Sequence, residues 1–120
     1  MILADTSVWV EHFRQGEPRL VRTLEAGRIL GHPHVLGELA LGNLAQRTLI
    51  LELLAALPQA ESATETEALT LIESARLHGR GIGYVDAHLL AAVRLTPDAR
   101  LWTFDRRLAA VAVDLDLAAA

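Results

Sequence analysis

Four carboxylates stand in stretches of this sequence that are otherwise apolar, and acids in such company are the first place to look for chemistry. Asp5 ends the run Met1-Ile2-Leu3-Ala4, and Asp105 follows Leu101-Trp102-Thr103 after one intervening residue. Glu38 lies within Val35-Leu36-Gly37-Glu38-Leu39-Ala40-Leu41, and Asp86 within Tyr84-Val85-Asp86-Ala87-His88-Leu89-Leu90-Ala91-Ala92. Taken singly, each has an ordinary explanation. Asp5 and Asp105 precede helical patterns and suit N-capping, Asp86 suits the positive end of a helix, and Glu38 suits a solvated outer face. If the four converge, each ionised neighbour raises the pKa of the next, so a cation is needed for all to stay charged. With oxygen donors and no cysteine in the chain, that cation is a hard divalent ion, magnesium or else manganese.

Other chemistries are excluded by composition. Zero cysteines remove disulfides, zinc-thiolate sites and thiol nucleophiles. All 11 basic residues are arginine, so Schiff-base chemistry and the P-loop lysine are missing as well. The histidines are His12, His32, His34, His78 and His88, and none forms a His-Glu-x-x-His pair. His32 and His34 alternate across a turn and read as solvated, while His88 points to a different side of its helix from Asp86 and reads as structural or peripheral. Trp9 and Trp102 lie in apolar-periodic elements and read as core or interface.

The acids must be positioned by elements that alternate. Residues 1–4 form a short apolar strand, and Val8, Trp9, Val10 and Phe13 then recur at helical spacing. A second helix carries Leu20, Val21 and Leu24, and Arg28–Gly31 is the next strand candidate. Pro33 opens a third helix, about Arg47 to Leu57 forms a fourth ended by Pro58, and Thr64–Glu67 opens a fifth with its acids at the positive end. The run Gly79-Arg80-Gly81-Ile82-Gly83 is a flexible turn, followed by a helix from Tyr84 to Leu95, a strand at Arg100–Thr103 and a helix from Asp105 to Ala112. Brief strands are expected in Ala60–Thr64 and Val113–Leu117, and Ala118–Ala120 is expected to fray. Strand and helix alternation predicts an α/β layered fold with a parallel sheet in one domain, residues 1–120. In such a sheet, ligands bind beyond the carboxyl ends of the strands, where Asp5 and Asp105 fall.

The 120 residues suit one core, and 20 alanines with 23 leucines favour helices. A net charge of −4 gives no bulk positive field, so any nucleic-acid contact must be local. The apolar run Leu49–Leu57 is too short for a membrane span and carries Glu52, and Asp5 and Glu11 interrupt anything like a signal peptide. The expectation is a soluble, intracellular, cytoplasmic chain without membrane contact.

The opening Ile2-Leu3-Ala4-Asp5-Thr6-Ser7-Val8-Trp9, the segment Glu38-Leu39-Ala40-Leu41-Gly42, the Asp86 segment, and Leu101-Trp102-Thr103-Phe104-Asp105-Arg106-Arg107-Leu108 together resemble PIN-domain ribonucleases. More narrowly they resemble the VapC toxins of bacterial toxin–antitoxin pairs, along essentially the whole chain. The resemblance implies a PIN-like fold, with a central parallel sheet of four to five strands flanked by helices. It implies that Asp5, Glu38, Asp86 and Asp105 form an acidic quartet holding one or two magnesium or manganese ions. It also implies supporting hydroxyls at Thr6, Ser7 and Thr103, an RNA substrate, a VapB-like antitoxin and a homodimer.

RNA brings dense negative charge to such a pocket, so arginines must stand at its rim; Arg80, Arg106 and Arg107 are the candidates for phosphate contact. Between residues 48 and 57, leucines cover more than one helical face, which favours an interface with a second copy or an antitoxin segment. Two other readings compete. A haloacid-dehalogenase-like phosphatase would need a second Asp where Ser7 stands and a lysine the chain lacks. A non-catalytic PIN-like module that binds RNA or protein would have no need of all four acids.

Overall fold

The computed structural model describes residues 1–120 in full. Ile2–Ala4 forms β1, Ile29–Leu30 forms β2 and Arg100–Trp102 forms β3. All pair in parallel in the order β2-β1-β3, with Leu3 opposite both Leu30 and Leu101. The central strand is enclosed from Leu3 on, Leu3 and Ala4 being fully buried, which is why it reads as an unbroken apolar run and not as an alternating one.

Seven helices cover the sheet: α1 (Thr6–Gln15), α2 (Pro18–Glu25), α3 (Pro33–Ala40), α4 (Arg47–Ala55), α5 (Glu65–Ser74), α6 (Tyr84–Leu95) and α7 (Arg106–Asp114). Their starts are chemically marked. Pro18 and Pro33 occupy first-turn positions where a missing N–H costs nothing, and Thr64 with Glu67 forms a reciprocal capping box on α5. Ala87 through Val93 are all buried, so α6 runs through the core, as a helix apolar on every side must. Trp9 and Trp102 are buried too, as their apolar surroundings imply.

The sheet has three strands, fewer than the expected four to five. Outside it, two single bridges, Gly31 with Gln59 and Leu101 with Ala118, each lie one residue beyond the segments expected as brief strands. Gly31 N–H donates to Pro58 O at 2.7 Å and Ala60 N–H to Gly31 O at 2.9 Å, after which the chain leaves the sheet instead of continuing as a strand through Thr64. At the other edge, Val113 and Asp114 belong to the last turn of α7, because burial of Leu108, Val111 and Ala112 prolongs the helical face. The contact therefore shifts to Leu117 and Ala119, whose backbones bond Leu101 at 2.7 and 2.8 Å. Ala118–Ala120 is thus tied to β3, and Arg19 also donates to Ala120 O; the expected fraying is not seen. No helix is long and apolar enough to cross a membrane.

On α4 only Leu54 is buried, while Leu49 and Leu53 are more than half exposed. A groove of about 350 Å³ opens between α1, α2 and α4, lined by Trp9, Phe13, Leu24, Ile50, Leu53 and Leu57 among others.

Candidate active site

Because β1 and β3 are parallel neighbours, the residues that follow them emerge at one edge of the sheet. Asp5 sits there, almost fully buried. Its Oδ1 accepts the Thr6 N–H at 2.7 Å, and its Oδ2 accepts the hydroxyls of Ser7 at 2.8 Å and Thr103 at 2.7 Å. Each hydroxyl has one proton, and both protons point at Asp5. The 3.2 Å approach of Ser7 Oγ to Thr103 Oγ1 therefore has no proton left between them. Their lone pairs are used in turn: Ser7 Oγ accepts the Phe104 N–H and Thr103 Oγ1 the Asp105 N–H, both at 3.0 Å. The segment after β3 is thereby fastened to the carboxylate after β1.

Asp105 caps α7, its Oδ1 accepting the Leu108 N–H at 2.9 Å. Asp86 lies in the first turn of α6, where its Oδ2 accepts the Gly83 N–H at 2.9 Å. Glu38, exposed on α3, accepts the Thr6 hydroxyl at 2.7 Å, which links α3 to the start of α1. Burial raises the Asp86 carboxyl above its usual range, its hydrogen bond from Gly83 opposes the shift, and the charges of Asp5, Asp105 and Glu38 add to it. All three other acids thus act on Asp86. Capping and clustering prove to be the same placement, since a helix that begins at the sheet edge aims both its positive end and its capping acid at the crevice.

Does this donor set fit a hard cation? The side chains are oxygen donors, their mutual repulsion is what a cation relieves, and Thr6, Ser7 and Thr103 hold two of them in place. No three His, Asp or Glu side chains stand close enough together to hold one ion between them; magnesium, which binds through one or two carboxylates and several waters, does not require three.

At the rim, Arg80 is engaged with Asp114 at 2.7 Å in an exposed ion pair, the kind worth about 0–1 kcal/mol and easily exchanged. Arg107 makes no ion pair; its side chain lies against Gly81, where an added Cβ would come within 2.7 Å of its Cδ and Nη1. Gly81 also has φ +81°, so its lack of a side chain serves both the turn and Arg107. Arg106 is exposed and without an ion pair.

One cluster escapes a linear reading. His32, expected in a solvated loop, is buried, as is His88, and His34 is half-buried. Ring centroids are 5.1 Å apart for His32 and His34, and 4.7 Å for His34 and His88. The reason is that α3 begins at Pro33, which makes His32 its N-cap: Nδ1 accepts the His34 N–H at 3.0 Å. With that lone pair in use the proton sits on Nε2, which is buried without a partner. Burial first, then the neighbouring His34 and His88, lower the His32 pKa from 6.5 to about 4. His88 Nε2 lies 3.2 Å from Glu65 Oε1 but outside hydrogen-bond geometry. The signal available beforehand was the His-Pro pair itself, since a residue ahead of a first-turn proline takes the cap position.

The family profile of the PIN domain matches residues 2–114. The chain belongs to the PIN-domain family. Two curated relatives from strains of Mycobacterium tuberculosis, each called Ribonuclease VapC32, are 49% identical over 120 residues, which is 100% of this chain and 97% of theirs. Identity of that extent places the chain in the VapC branch of the PIN-domain ribonucleases. The matched span contains Asp5, Glu38, Asp86 and Asp105 together with the hydroxyls that hold them.

Proposed function

We propose that this protein, acting as one PIN-like domain over residues 1–120, is the toxin of a VapBC-type pair and a cytoplasmic endoribonuclease that uses magnesium, or manganese in its place. The observation that carries the reading is the tie of Asp5 through the Thr103 hydroxyl to the Asp105 amide at the carboxyl ends of β1 and β3, with the charges of Asp5, Asp105 and Glu38 bearing on Asp86.

A bound divalent ion in such a site lowers the pKa of a water and offsets charge growing on phosphate oxygens. Asp5 and Asp105 would be its direct ligands, and Glu38 and Asp86 would complete the shell directly or through water. Ser7 and Thr103 fix the rotamer of Asp5 by hydrogen bonds to one oxygen, so its other oxygen keeps a constant direction. Burial and the neighbouring charges raise the Asp86 carboxyl above its usual range, which suits it to accept the proton of the attacking water. Arg80, Arg106 and Arg107 meet the RNA phosphates, Arg80 by releasing Asp114. The products of this reaction are the two RNA ends left by water attack at phosphorus.

The groove between α1, α2 and α4 takes an apolar segment of a VapB-like antitoxin, and the outer leucines of α4 support a homodimer. Cleavage of RNA with magnesium or manganese is expected for the wild type and lost in EDTA or on Asp5→Asn. Cleavage that survives either treatment excludes the metal-nuclease reading, and RNA or protein binding without cleavage under any of these conditions favours the non-catalytic module. Leu53→Asp is expected to abolish antitoxin capture; a fully retained complex removes the groove from the interface.

A further inference from the structure

The strand cut by an endonuclease continues past the scissile phosphate in both directions, so a path is needed on each side of Asp5. In the sheet order β2-β1-β3, α7 follows β3 and carries Arg106 and Arg107, while α3 follows β2 and carries Glu38. On the α3 side, a cleft of about 400 Å³ separates α1 from α3 and the turn after it, a volume within the roughly 300–1,000 Å³ common for ligand clefts.

The cleft begins at the carboxylates themselves. Thr6 and Glu38, joined by their 2.7 Å hydrogen bond, line it, and Thr6, Val10 and Arg14 follow at four-residue spacing along one face of α1. Eight residues of helix span about 12 Å, so this wall leads from Glu38 to the Arg14 guanidinium. Val10 and Phe13 make the wall apolar and are 51% and 36% exposed; exposed Asn43 lines the cleft from the turn after α3. Phe13 also lines the groove against α4, so it stands between the two and each is a separate path. Arg14 is paired with Glu11 one turn back, its Nη2 donating to the two oxygens at 3.1 and 3.0 Å. In that pair Arg14 remains 69% exposed, and ion pairs of this kind exchange readily. An apolar wall that starts at a carboxylate of the quartet and ends at an exchangeable cation suits a nucleotide, with sugar and base on the wall and phosphate on the guanidinium.

We propose that the cleft between α1 and α3 is a substrate channel for the RNA nucleotide beside the scissile phosphate, with Arg14 on a backbone phosphate at its far end. The inference rests on the ribonuclease reading above. Glu11 holds Arg14 until the phosphate takes its place.

The test uses the full chain with fluorescein-labelled single-stranded RNA. Binding is read by anisotropy in magnesium on an Asp5→Asn host, which keeps the RNA intact, and KM and kcat are read on chains that retain Asp5. Each phosphate contact to a single strand adds about 0.7 to the slope of log affinity against log salt. Arg14→Ala is therefore expected to lower that slope by about 0.7 and to weaken binding about fivefold at 0.1 M salt but only about twofold at 0.3 M. Its KM rises to match while kcat stays within about twofold. Arg14→Lys restores the slope, Glu11→Gln tightens binding by freeing Arg14, and Val10→Glu weakens it by placing a charge on the wall. Arg94→Ala, in the last turn of α6 and so at the opposite end of that helix from Asp86, leaves the slope unchanged. Wild-type cleavage with no change of slope or KM in Arg14→Ala overturns the channel alone. A loss confined to antitoxin capture overturns it too and makes the cleft a protein contact. An Arg14-dependent slope in a chain that never cuts RNA supports the channel and counts against the ribonuclease reading; no RNA binding by the host overturns the channel.

Discussion

Acidification is expected to loosen the fold at His32 by an amount that follows from its surroundings. Its pKa is 6.5 when unfolded and about 4 in the native protein. The native state therefore holds the neutral ring, and this stability is fully present above pH 6.5 and is lost as pH falls through 6.5 towards 4. The complete shift corresponds to about 3 kcal/mol, and linkage places about 2 kcal/mol of the loss between pH 7.5 and 5. The mechanism is local: protonation takes the Nδ1 lone pair that accepts the His34 N–H, so the cap of α3 is lost together with the desolvated neutral ring. His32→Asn supplies an oxygen that can accept the same N–H and cannot titrate. Urea unfolding of both proteins at pH 7.5 and 5.0 reads the effect, because the other titrating groups are common to the two and only His34 and His88 lose a coupled neighbour. The wild type is expected to lose about 2 kcal/mol more than the variant over that interval. Parallel pH profiles, or an NMR titration of the His32 ring with a midpoint near 6.5, would refute the reasoning.

Other outcomes follow from the hydroxyl network and the rim. Thr103→Val removes a proton donor to Asp5 and the acceptor for the Asp105 N–H; a stability loss of about 1–3 kcal/mol is expected in urea titrations, with weaker magnesium binding by calorimetry. Retained stability and affinity would show that Ser7 alone suffices. Gly81→Ala forces a side chain into a left-handed turn and into Arg107. It is expected to cost about 1–2 kcal/mol and to raise KM for RNA. Arg107→Ala should raise KM as well, and full additivity in the double variant would uncouple the two residues.

Much of the fold is legible in the chain order. The apolar run ending at Asp5, the prolines at 18 and 33, and the Thr64–Glu67 box mark boundaries by local chemistry that needs no distant partner. The sheet edges are less legible. Gln59 and Ala118 each join the sheet by a single bridge, too few residues to leave a period-2 pattern, and the continuous apolar face of α7 conceals where the helix gives way. The same limit applies to His32, which lies beside Trp9, Leu54, Leu57 and Gln59, residues that a linear reading does not bring to a turn polar in composition.

For the site, the sequence by itself determined which groups are available: four carboxylates in apolar settings, no thiol and no amine, which leaves a hard cation as their partner. It determined the local posture of Asp5 and Asp105 too, because an acid between a strand and a helix is held by the first amides of that helix whatever lies opposite. Only the tertiary structure decided that the charges of Asp5, Asp105 and Glu38 reach Asp86. Parallel pairing of β1 with β3 brings Thr103 and Asp105 to Asp5 across nearly the whole chain, and the buried α6 delivers Asp86 into the same field. Charges interact according to distance in space, and in this chain that distance is set by strand register and core packing.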